Sequence, residues 1–177
     1  LQFGAGKDDI YFPSRDANKL CTGPLFIATS PFRVELFNNM GGYFIPHHFF
    51  HSDWDFWLSV YEKKIIGKQI DGVIYLRRRR YNSITHQNFH LLPMAVKVII
   101  NRHPIFFNSE KRKEKALYNI YEKTAREYRS HGKRNFAKKY ADLAVQYGKA
   151  TQVINSINSE FNMSLFRYTL RRLGRLI

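Results

Sequence analysis

The sequence predicts an α+β chain, with two strand candidates in an irregular first half and a mostly helical second half. Three observations lead there. Leu25-Phe26-Ile27-Ala28 and the Val73-Ile74-Tyr75-Leu76 centre of the segment Gln69 to Arg77 are short apolar runs between turn formers, the pattern of buried strands. From Glu110 to Ser130, Leu117, Ile120, Tyr121, Thr124 and Tyr128 recur at helical spacing. Hydrophobic residues fill 44% of 177 positions, too many for a disordered chain and enough for one core with an appendage.

Taken in order, residues 1–24 are punctuated by Gly4, Gly6, Pro13, Gly23 and Pro24 and read as irregular. Pro31 to Asn39 reads as a short helix, with proline suited to its first turn and Gly41-Gly42 ending it. Phe44 to His51 is an aromatic, histidine-rich loop. A helix follows from about Trp54 to Lys63, with Trp54, Trp57, Leu58 and Tyr61 on one face. Pro93 to Arg102 is a further short helix, closed by Pro104. Ala116 to Tyr147 resembles a single tetratricopeptide-like hairpin, with a turn at His131-Gly132 and Phe136, Ala137, Tyr140, Ala141, Ala144 and Tyr147 on its second helix. A weaker helix is predicted from Thr151. The last segment, Ser164 to Ile177, interleaves Leu165, Phe166, Leu170 and Leu173 with Arg167, Arg171, Arg172 and Arg175, as a basic amphipathic helix does. It suits an anionic membrane surface, or a helix packed on the hairpin with its arginines solvated.

The net charge of +15 points to an anionic partner: nucleic acid, acidic lipid or a phosphorylated substrate. A lone cysteine, Cys21, excludes an internal disulfide and fits a reducing compartment, so the expected location is the cytoplasm. No apolar run approaches the ~20 residues of a membrane span, and no signal peptide is visible.

The chemistry is concentrated in Ser52-Asp53-Trp54-Asp55-Phe56-Trp57-Leu58, two carboxylates at a helix start whose inner face is aromatic. A carboxylate fixed beside an aromatic wall makes a general base. The same residues also make a helix cap, with Ser52 as N-cap and acids favouring the dipole. Both readings stand on spacing alone.

Read as a series, Asn18, Leu25 to Ala28, Gly41-Gly42-Tyr43, Asp53-Trp54-Asp55 and Tyr75 through Asn82-Ser83-Ile84-Thr85 resemble the acceptor-side half of a family-2 inverting glycosyltransferase with a GT-A fold. The resemblance covers about 70 residues. It implies that residues 1–90 form the acceptor-side part of a catalytic domain with a partial GT-A-like edge, and that 91–177 form a helical C-terminal appendage. It further implies transfer from a nucleotide sugar to a glycan or lipid-linked acceptor, in building a cell-surface polysaccharide or glycolipid, at the inner face of the membrane. Asp53 matches the catalytic base and Asp55 is its nearest understudy. Trp54 would line the acceptor pocket beside Gly42, and Arg78 and Arg80 would face the diphosphate. A divalent metal, Mn or Mg, is implied for the full-length enzyme, with none bound by this chain alone. The sequence departs from the pattern at Ser52, where the family has Glu, and at Arg80, where it has His. It also lacks the upstream nucleotide-binding half, and Lys7-Asp8-Asp9 does not replace the Asp-x-Asp metal motif, so the chain is expected to be the C-terminal part of a longer enzyme.

Two other constellations invite a function. His47, His48 and His51 with Asp53 gather metal-ligand types, but Pro46 and the aromatic surroundings favour a polar loop rim. Arg77-Arg78-Arg79-Arg80, between Tyr75 and Tyr81, supports the alternative of a basic nucleic-acid-binding module, though no recognition-module signature accompanies it.

Overall fold

The structure, a computed structural model, describes residues 17–24, 32–44, 51–65 and 87–173, with side chains described from 19 to 166. The described residues are 76% helical and contain no strand. This overturns the α+β expectation and the GT-A-like edge. Both strand candidates, Leu25 to Ala28 and Gln69 to Arg77, lie outside the described residues, as do His47, His48 and the Arg77–Arg80 run. What remains is an assembly of six helices: α1 (Val34–Asn39), α2 (Ser52–Glu62), α3 (Leu92–Arg102), α4 (Glu110–Ser130), α5 (Arg134–Val145) and α6 (Gln152–Leu173). Short 3-10 turns at Ala17–Thr22, Phe89–Leu91 and Phe106–Asn108 complete it.

The hairpin of α4 and α5 is the scaffold. Ala116, Ala125, Ala137, Ala141 and Ala144 are all buried, and side chains this small let the two backbones approach closely. Gly132 takes φ +69 in the connecting turn, where a side chain would be strained. The aromatic residues of the stripe fill the rest of the seam, with Tyr128 stacked on Tyr140 at 5.4 Å and Tyr121 on Tyr147 at 5.8 Å. α6 is one continuous helix of 22 residues where the sequence suggested two pieces, because no glycine or proline interrupts it before Gly174.

α3 lies across α4 and is buried through Leu92, Ala95, Val96 and Ile99. One continuous core joins these residues to Leu20, Cys21, Trp54 and Leu58 from the first half and to Ile154 and Ile157 from α6. Packing therefore crosses residue 90, the boundary expected from the sequence. α2 is buried on two sides. Trp54 and Leu58, four apart, face that core, while Phe56, Trp57 and Val60 face a second cluster with Phe32, Leu36, Phe37, Met40 and Tyr43. Tyr61, expected on the buried face, is 40% exposed.

Candidate functional site

The start of α2 differs from the expected cap. Ser52 is its first helical residue, and the N-cap is His51 at φ 100, with no side-chain cap bond. Asp55 is turned inward instead of capping and is 3% exposed. Its Oδ1 accepts from Arg102 Nε at 2.8 Å and lies 2.9 Å from His103 Nε2, while Oδ2 accepts from Arg102 Nη2 at 3.3 Å. The other ring nitrogen of His103, Nδ1, lies 3.1 Å from Glu62 Oε2, and Glu62 Oε1 accepts the Phe106 amide at 2.9 Å. A histidine set between two carboxylates donates to both only when both nitrogens carry protons. The four side chains thus tie both ends of α2 to the C-terminal end of α3, where a cation complements the helix dipole. Burial pushes the Asp55 carboxyl up, but the hydrogen bonds and charges of His103 and Arg102 outweigh it, and the group lies below the usual carboxylate range.

A polar cleft of about 360 Å³ opens over this network, lined by Met40, Gly41, Gly42, Tyr43, Phe44, Asp55, Ser59 and Arg102. The Gly41-Gly42 pair shapes one wall. Both residues take φ near +75, and a Cβ on Gly42 would press on the Phe37 ring at 3.2 Å, so glycine is required there by the turn as well as by the close approach. The opposite wall is the Arg102 guanidinium, 3.6 Å from the centre of the Phe44 ring and held flat by its fork on Asp55. Asp53 does not line the cleft; it is half-buried, and its Oδ1 accepts from the Trp54 amide at 2.9 Å. The phenol of Tyr43 is raised by burial and by the Asp53 charge, which places that carboxylate within electrostatic reach of the cleft wall.

The structure therefore brings Gly42 and Asp55 to one cleft, with Asp53 within electrostatic reach of its Tyr43 wall, but does not bring Trp54 with them. Trp54 is 2% exposed, and its indole nitrogen donates to the Leu20 carbonyl at 2.7 Å, so the ring belongs to the core. The aromatic faces at the cleft are those of Tyr43 and Phe44. Arg78 and Arg80 lie outside the described residues. Among the described residues no group of three His, Cys, Asp or Glu side chains could hold a metal ion, so the divalent metal implied by the resemblance has no fitting donor set there. The sequence reading missed Glu62, Arg102 and His103. Their only signal was an Arg-His pair closing an apolar helix before Pro104. No known family, curated protein or solved structure matches this chain.

His51 forms a second polar feature. Its Nε2 is buried without a hydrogen-bond partner among the described residues, next to a void of about 20 Å³ lined by Thr22, Trp54, Asn119 and Lys123 among others. Burial and then the Lys123 charge lower its pKa to about 4. A histidine near pKa 6.5 when unfolded and about 4 when folded takes up its proton first in the unfolded state. Its contribution is complete above the unfolded value and lost as pH falls toward the folded one. Urea unfolding should show a loss of about 2 kcal/mol between pH 7.5 and 5 that is largely absent in His51→Asn. Equal losses in both proteins would mean that His51 is protonated without cost in the fold.

Proposed function

We propose that this chain carries the acceptor-side groups of a glycosyl-transfer site, with Asp53 as the general base. The observation that carries the reading is the convergence of the Gly41-Gly42-Tyr43 turn and Asp55, from the acidic start of α2, at one cleft, with the Asp53 charge felt by the Tyr43 phenol on its wall. The two carboxylates divide by environment. Asp55, bound on both oxygens by Arg102 and His103, is a poor proton acceptor; Asp53 is half-buried at the helix start, with Oδ1 on the Trp54 amide. In the reaction, Asp53 takes the proton of an acceptor hydroxyl as that oxygen bonds to the anomeric carbon. The bond from that carbon to the nucleoside diphosphate breaks with inversion, and Arg78 and Arg80 are the cations assigned to the departing phosphates. Tyr43 and Phe44 offer ring faces to sugar C–H groups.

Among the described residues no helix is long and apolar enough to cross a membrane. With its one cysteine buried, the chain fits a reducing compartment, and we place the reaction in the cytoplasm, supplying a cell-surface polysaccharide or glycolipid. The test is incubation of the full-length protein with a panel of radiolabelled nucleotide sugars and Mn²⁺, following donor hydrolysis as well as transfer to glycan and lipid acceptors. Turnover with any donor is the expected result. Absence of hydrolysis and transfer across the panel, with salt-sensitive binding to RNA instead, would assign the chain to the nucleic-acid-binding class.

A further inference from the structure

Among the described residues, α6 packs one apolar face into the fold and exposes apolar side chains on another. Its first two turns seat Ile154 and Ile157 in the core. On the same side, Phe161 lies under the Lys138 ammonium and Ser164 accepts from Arg134. Glu160, just before Phe161, pairs with Arg129, which also donates to Ser156 at 3.0 Å. These contacts hold α6 against the α4–α5 hairpin as far as Ser164. Met163 and Phe166, three residues apart, fall on the opposite side of the helix and are 57% and 65% exposed. The sequence continues their spacing with Leu170 and Leu173, within the same helix. Leu165, four residues after Phe161 and so on its side of the helix, is 56% exposed.

We infer that this open face of α6 docks on an anionic lipid bilayer, lying in the plane of the interface. Charge decides between occupants. The chain carries +15 overall, and Arg167, Arg171, Arg172 and Arg175 follow Phe166 in sequence, so a second copy would bring like charge against like. A polyanionic partner is favoured, and among polyanions a membrane interface also accommodates methionine, phenylalanine and leucine side chains. The helix, about 33 Å long at 1.5 Å per residue, is anchored to the hairpin through residues as far as Ser164 and exposes Met163 and Phe166 on its other side. Such docking is independent of the glycosyl-transfer reading and would hold for any function of the cleft.

The experiment is co-sedimentation of the full chain with phosphatidylcholine vesicles, with and without about one-third phosphatidylglycerol, at low salt and at about 0.5 M salt. Binding is expected only to the anionic vesicles and should weaken with salt. In the double variant Met163→Ser, Phe166→Ser it should fall on the order of tenfold. Both side chains are exposed, so circular dichroism and thermal unfolding of the variant should match the wild type. No preference for anionic vesicles, or equal binding by the double variant, would overturn the inference. So would light scattering that shows a dimer abolished by the same variant without vesicle binding. RNA binding indifferent to the two substitutions, again without vesicle binding, would also overturn it, placing the anion preference of the chain away from this surface.

Discussion

Asp53→Asn in the full-length protein is expected to abolish sugar transfer while leaving the fold nearly intact. Loss of a general base costs on the order of 100- to 10,000-fold in rate. The structural cost is small because the Asp53 side chain makes a local bond, to the Trp54 amide, that the Asn carbonyl can also accept. Removing that interaction altogether would cost about 1 kcal/mol. Turnover within a few-fold of wild type would remove Asp53 from the mechanism. A large rate loss accompanied by a lowered unfolding temperature would show that the residue serves the helix start and not the chemistry.

Asp55→Ala should have the largest effect on stability. It leaves His103, 2% exposed, without the carboxylate on Nε2, and frees an Arg102 that was held on both oxygens. Removing one member of a buried ion pair costs about 3–5 kcal/mol. Arg102 is 39% exposed and can turn toward water, so about 3 kcal/mol is expected. Asp55→Asn should fare little better, since three donors face the two oxygens and an amide nitrogen would meet one of them. The wild type should also lose stability in acid. The folded carboxyl lies below its unfolded value, so the gain is present above that unfolded value and disappears as pH falls through the folded one. Urea unfolding of Asp55→Ala within about 1 kcal/mol of wild type at neutral pH would reduce the four-residue network to a surface feature.

The helices were legible in the sequence wherever their period was long and uninterrupted. Glu110–Ser130 was read to the residue, and the alanine seam of α5 announced a close-packed partner. The start of α2 was misread because capping chemistry is local and burial is not. Ser52 and Asp55 have the spacing of a cap, yet Asp55 finds its partners at positions 102 and 103, and nothing in the intervening sequence signals that pairing. Trp54 was assigned to a ligand for a similar reason, since its residue type suits a sugar face as well as it suits the carbonyl of Leu20. The Gly41-Gly42 pair was recognised as a motif, and its geometry supplies a sufficient structural reason for it in the Phe37 ring. The α+β expectation rested on two apolar runs whose lengths suit a strand or a buried helical turn equally well.

The core that joins Leu20 and Trp54 to α3 and α4 also orders events in time. The α4–α5 hairpin closes through contacts between neighbouring parts of the chain, at small entropic cost, whereas docking Trp54 against α3 and α4 closes a loop of more than forty residues. The hairpin should therefore form early and α2 should dock late, with the Asp55–Arg102–His103 latch among the last native contacts made. Until the latch closes, the cleft does not exist. A chain that has acquired nearly all of its helix content is then still inert, and recovery of function after dilution from denaturant should lag behind recovery of helical signal.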